Sequence, residues 1–237
     1  MSLRAVFSTL VEMSERVLRS AWNDLYFNEY SWSIEKAHRS ALLALTAAAW
    51  RVGVDSLSDS ISHLAHALSQ ACTQLRGISE GIVILDALRE LASSIELRLI
   101  LDPERLRLRR QDSLTSIEYA IKVRNSILSC DKEKTEARDY IGDLSRYAVE
   151  SRATIIVTSN HRAIIISEKH ENLAPIERVY EEAEKIPLGA TPILLTPEEA
   201  YSLLSIPGIH EKTTQWRIIE DELHIGQTLP IKQDKHQ

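Results

Sequence analysis

The chain has 237 residues, 44% of them hydrophobic and 26% charged, an ordinary globular composition with apolar mass for one large domain or two small ones. Its formal charge of −6 argues against a generally basic nucleic-acid-binding surface. No uncharged apolar run reaches the roughly 18 residues of a membrane span, and the N-terminus lacks the pattern of a secretion signal, so the expectation is a soluble, cytoplasmic protein.

Apolar residues recur at helical spacing near 3–27, 31–52, 58–77, 81–101 and 113–129, which predicts an all-helical bundle over residues 1–130. Gly53 with Asp55, the Gly77 and Gly81 pair, and Asp102-Pro103 mark the breaks, and Asp112 or Ser113 is expected to cap the fifth helix. The second helix carries Ala37, Ala41, Ala44, Ala47, Ala48 and Ala49, small side chains that let neighbouring backbones approach, and is expected at the bundle centre. Trp22, Trp32 and Trp50, with Tyr26 and Tyr30, suit a base-stacking surface or anchors for helix packing or a dimer interface; the second reading is adopted. Cys72 and Cys130 lie far apart in sequence without further ligands at metal spacing, so two unpaired thiols are expected. Arg105, Arg107, Arg109 and Arg110 form a local basic run, read as solvated charge or as phosphate or RNA contacts.

The grammar changes past residue 130. Six of the seven prolines lie at or beyond Pro175, and residues 131–237 hold 13 Lys and Arg against 19 Asp and Glu, while 1–130 are balanced at 15 each. A second domain over 135–230 is expected, following a short charged linker at 131–135. After a helix near 135–150, the β-branched runs 153–158 and 162–167 flank the turn-prone Ser159-Asn160-His161 and predict a β-hairpin. A helix near 175–185, a strand near 190–195 and helices near 197–205 and 211–222 complete a small mixed α/β unit, with a polar tail from Ile231. Thr196-Pro197-Glu198-Glu199 is a helix start: Thr196 as N-cap, Pro197 in the first position, and two acids at the positive end of the helix dipole. Glu181, Glu182 and Glu184 read as a solvated helix face. The fold class expected is therefore α+β.

Two resemblances add to this reading. The helical half is similar to the HEPN family of small prokaryotic and archaeal bundles through Ala21-Trp22-Asn23-Asp24-Leu25, the run Glu35 to Leu45, Gly53, Ser60-Ile61-Ser62-His63-Leu64 and the run Leu114 to Ile121. Many HEPN proteins are ribonucleases that use an Arg and a His separated by four to six residues. The helical half has no such pair: Arg124-Asn125 begins the pattern but ends at Ser129, and only Arg217 and His224 have the spacing.

The C-terminal half resembles a minimal, archaeal-type nucleotidyltransferase through Ser159-Asn160-His161-Arg162, Pro175 to Tyr180 and Thr196 to Ala200. In that family a Ser-Asp-x-Asp strand and a third acid on a later strand hold the metal ions that activate the attacking hydroxyl. Here Asn160 and Arg162 replace both acids and Pro192 to Leu195 supplies none. The resemblance thus implies a degenerate motif at Ser159, Asn160 and Arg162, with no catalytic residue, metal or cofactor assigned.

Together the two resemblances imply a non-catalytic, nucleotide- or RNA-binding regulatory protein of toxin-antitoxin-like ancestry. It would be a homodimer, with an HEPN or nucleotidyltransferase protein as a further partner. The alternatives are a divergent metal-dependent nucleotidyltransferase or ribonuclease using His161, Glu168, His170, Arg217 or His224, and a purely structural oligomerising adaptor.

Overall fold

The computed structural model describes residues 3–54, 58–130, 139–207, 209, 216–223, 225 and 232–233. Two long helices, α1 (Leu3–Tyr26) and α2 (Tyr30–Val52), open the fold. They are joined through Asn28, whose φ of 62° is a left-handed value that Asn tolerates. Helix α2 ends where Gly53 takes φ 79° and its amide closes on Ala49; Asp55, expected to share that break, lies outside the described residues. Small side chains decide the place of α2: Ala37, Ala41, Ala44 and Ala48 are fully buried, and Ser14 of α1 donates to the Ser40 carbonyl at 2.9 Å. Helix α2 accordingly packs against α1, α3 (Ile61–Leu68), α4 (Ser79–Ser93) and α6 (Arg110–Ser126), as the alanine pattern predicts.

Two predicted segments in this half are more broken than their periodicity suggests, and a third starts earlier. The segment near 58–77 is α3 followed by a 3₁₀ turn at Thr73–Ile78. The segment near 81–101 divides at Ser94, which caps the short α5 (Ile95–Ile100) by accepting from the Leu97 amide. Gly81 lies inside α4, where it makes room for the Tyr119 ring instead of ending a helix. Helix α6 begins before the expected cap: Asp112 sits in its first turn and accepts from the Arg109 amide at 2.7 Å.

Cys72 and Cys130 form a disulfide, correcting the expectation of two unpaired thiols. Only the packing of the 3₁₀ turn after Cys72 against the end of α6 brings them together, across 58 residues of sequence. Such a bond belongs to an oxidising environment or to the disulfide-rich proteins of hyperthermophiles.

Beyond the linker, which lies outside the described residues, α7 (Tyr140–Ser151) leads into a five-stranded sheet of order β3-β2-β1-β4-β5. The strands are β1 (Thr154–Val157), β2 (Arg162–Ile166), β3 (Thr191–Leu195), β4 (Arg217–Asp221) and the two-residue β5 (Lys232–Gln233). The predicted hairpin is present, with Val157 opposite Ala163 in an antiparallel β1–β2 ladder. Strand β3 joins β2 in parallel after α8 (Pro175–Glu182), and β4 returns antiparallel to β1. Residues 217–221, expected as part of a helix, are this strand: Ile218 and Ile219 gain a ladder and a buried place beside β1. Lys232 and Gln233, expected in a polar tail, pair with β4.

Helix α4 joins the bundle to the sheet. Ile82 and Leu85 enter the bundle core, whereas Val83, Ile84, Ala87, Leu88 and Leu91 enter the core beneath the sheet. Two acids four residues apart on this helix, Asp86 and Glu90, are both buried. The Asp86 carboxylate is paired with His38 Nε2 at 2.8 Å and accepts from Ser60 Oγ at 2.8 Å, Thr191 Oγ1 at 2.9 Å and the Ser62 amide at 3.1 Å. It therefore ties α2, the start of α3 and β3 to α4. Burial pushes this carboxyl up, but the hydrogen bonds and charge of His38 and the other donors outweigh burial and leave it below the usual range. The protein is thus a mixed α+β fold; among the described residues no helix is long and apolar enough to cross a membrane.

Candidate functional site

The turn between β1 and β2 is a three-residue loop, Ser159-Asn160-His161, closed by Thr158 and Arg162. The Thr158 amide donates to the Arg162 carbonyl at 2.9 Å, and His161 takes φ 58°, the left-handed residue such loops need. Thr158 Oγ1 donates to Asn160 Oδ1 at 2.5 Å and accepts from the Arg162 amide at 3.2 Å, so the loop is braced from within.

Three contacts grip it from outside. The His161 carbonyl accepts from the Thr191 amide of β3 at 2.7 Å. The His161 ring stacks on His63 of α3, with centroids 3.6 Å apart and planes at 18°. Arg162 Nη2 donates to Glu90 Oε1 of α4 at 3.1 Å, an oxygen that also accepts from Arg89 Nη1 at 2.6 Å. Burial lowers the imidazoles of His63 and His161, and for His63 the neighbouring His161 lowers it further, so both rings are held toward the neutral form.

Ser159, Asn160 and Arg162 therefore stand together, at the junction of the two halves. They line two cavities in common. The larger, of about 380 Å³, has apolar walls of Ile164, Ile193, Leu203, Ile209 and Trp216 and a polar edge of Ser94, Glu96 and Thr158. The smaller, of about 280 Å³, is polar, with Ser58, Asp59, Arg89, Glu90 and His161. Glu90 is only 2% exposed, and its Oε2 has no hydrogen-bond partner among the described residues.

The other sequence candidates lie elsewhere. Arg105, Arg107, Arg109 and Arg110 are exposed in the connector to α6 and at its start. Arg105 Nη2 donates to the Leu173 carbonyl at 2.8 Å, which places the run beyond the far end of β2 from Arg162. His161, Glu168 and His170 do not converge: Glu168 and His170 follow the far end of β2, and His170 is buried with Nδ1 2.9 Å from the Leu195 carbonyl. Among the described residues no group of three His, Cys, Asp or Glu side chains is placed to hold a metal ion. Arg217 is exposed on β4, and His224 lies outside the described residues.

The downstream motifs are structural. Arg178 is fully buried and donates to both oxygens of Glu199, at 2.5 and 3.0 Å, and to the Leu173 and Leu194 carbonyls at 3.1 and 3.2 Å. Glu199 also accepts from the Thr196 amide at 2.9 Å, while Thr196 Oγ1 accepts from the Glu199 amide at 3.1 Å. This is the predicted helix start at α9 (Pro197–Leu204), locked to α8 by one guanidinium. Glu182, expected on a solvated face, is buried and accepts from the Tyr147 hydroxyl at 2.9 Å.

No protein-family model, curated protein or solved structure matches the chain. Sequence reasoning missed Glu90, His63 and Trp216. The signal for Glu90 was present, since two acids spaced by one helical turn interrupt the apolar run from Gly81 to Ala92. His63 and Trp216 reach the turn only through tertiary packing.

Proposed function

We propose that the protein is a non-catalytic relative of HEPN and minimal nucleotidyltransferase fusions that binds a nucleotide or RNA in a regulatory, toxin-antitoxin-like role. The observation that carries this reading is the turn at Ser159, Asn160 and Arg162. By the sequence resemblance it stands for the family's metal-binding motif; it borders two cavities and presents a guanidinium bound to buried Glu90 instead of paired acids. A fixed cation there repels a divalent metal and anchors the turn to the bundle. Engagement of Glu199 and of buried His170 in structural hydrogen bonds supports the same view, because these side chains are committed to folding contacts.

The test is thermal stability of the purified chain across nucleotides and short single-stranded RNAs, each with and without magnesium or manganese. A metal-independent rise in Tm with a nucleotide or RNA is expected. Stabilisation that requires metal, accompanied by nucleotide transfer, would replace this reading with the enzyme reading.

A homodimer forms part of the proposal, supported by a patch of aromatics at the α1–α2 turn. Tyr26, Phe27 and Trp32 are 82%, 70% and 63% exposed, beside Trp22 at 44%, so they do not anchor packing within the chain. Patches of this kind mark association surfaces. Sedimentation of the chain and of Trp32→Ser with Phe27→Ser checks it: the variant is expected to remain folded and to sediment as a monomer.

A further inference from the structure

Resting on that reading, we infer that the paired cavities favour ribonucleotides over deoxyribonucleotides, with the base in the apolar cavity and the 2′-hydroxyl of its ribose donating to Glu90 Oε2 in the polar one. Three observations converge. First, Glu90 has one oxygen engaged and one not. Its Oε1 accepts from Arg89 Nη1 at 2.6 Å and from Arg162 Nη2 at 3.1 Å, whereas Oε2, buried on the wall of the polar cavity, has no donor among the described residues. Buried acceptors are nearly always satisfied, and a carboxylate held between two guanidiniums accepts but does not donate, so the ligand must bring the proton. Second, a nucleotide and an RNA strand have one sugar donor in common. The 3′-hydroxyl is esterified along a strand, whereas the 2′-hydroxyl is free in both and missing from DNA. Third, the cavities adjoin: Ser159, Asn160 and Arg162 line both, so a base against Trp216, Ile193, Ile209 and Leu203 brings its own sugar to the polar side. Phosphate is compatible with that side. Arg89 and Arg162 both line it, and Arg89 Nε, 3.6 Å from Glu35 Oε2, has no hydrogen-bond partner among the described residues.

The experiment is calorimetric titration of the full chain, in EDTA, with the common ribonucleoside 5′-monophosphates and a short single-stranded RNA, each beside its 2′-deoxy and 2′-deoxy-2′-fluoro counterparts. The fluoro compounds keep the size and pucker of the ribose but have no proton to donate. At least one ribo ligand is expected to bind about tenfold or more tightly than both of its counterparts, the equivalent of one hydrogen bond to a charged group. Glu90→Ala is expected to bring those ratios to about one, whatever it does to affinity itself; should that variant unfold, the ligand series on the unaltered chain decides the matter. Deoxy or fluoro ligands that bind as tightly as the ribo ligand would overturn the 2′-hydroxyl assignment and leave the nucleotide- or RNA-binding reading standing. Absence of binding by every ligand in the series would overturn both.

Discussion

Replacing Asp86 with alanine tests whether the two halves are held together by one buried carboxylate. The side chain is 1% exposed and is met by His38, Ser60, Thr191 and the Ser62 amide from three other segments. Removing it strands several buried donors at once, including the His38 imidazole. Breaking a buried polar network of this kind by removing its central acceptor costs about 3–5 kcal/mol. With a urea dependence of about 3 kcal/mol per molar for a chain of this size, the unfolding midpoint should fall by about 1 to 1.7 M. The link to β3 is isolated by a double-mutant cycle with Thr191→Val, for which a coupling of about 1 kcal/mol is expected. A loss below about 1 kcal/mol for Asp86→Ala, or a cycle that closes at zero, would show that apolar packing of α4 alone joins bundle and sheet.

Reduction of the Cys72–Cys130 bond releases a 58-residue loop in the unfolded chain, and loop-closure entropy puts the loss of stability at about 4 kcal/mol; urea melts with and without dithiothreitol measure it. Arg178→Ala should cost about 3–5 kcal/mol by leaving Glu199 and two carbonyls unpaired, whereas Glu198→Ala, at an exposed position, should stay within about 0.5 kcal/mol in the same melts. His63, His161 and His170 are all lowered by burial, so the folded state resists protonation that the unfolded chain accepts. Their contribution to stability is fully present above the ordinary imidazole value of 6.5 and is lost as pH falls through the lower folded values. Tm should therefore drop between about pH 7 and about pH 5, and His63→Asn with His161→Asn should flatten that drop; a Tm unchanged over this interval would contradict the burial of these rings.

Much of the fold was legible because local signals and tertiary packing agree. The alanine stripe of α2, Gly53 after it, the β-branched runs around Ser159-Asn160-His161, and Thr196-Pro197-Glu198-Glu199 each act over a few residues, and each lies where its pattern placed it. Ser159, Asn160 and Arg162 were legible as a group because a hairpin turn brings neighbours in sequence together in space. Local grammar failed where a distant partner decided the outcome. Arg217 to Asp221 has no strand alternation, and its pairing with β1 supplies the ladder that makes it one. Cys72 and Cys130 meet only because the turn after α3 packs on the end of α6.

The sequence by itself determined most of the helices, the hairpin and the absence of paired acids at the turn, because periodicity, capping chemistry and residue identity are local properties. Only the tertiary structure decided what surrounds that turn. Glu90 and His63 come from the bundle and Trp216 from the segment before β4, and no spacing in one dimension records their approach. A buried carboxylate finds its partners only when the elements carrying them close around it, and here that closure sets both the charge of the cavities and the join between the halves of the chain.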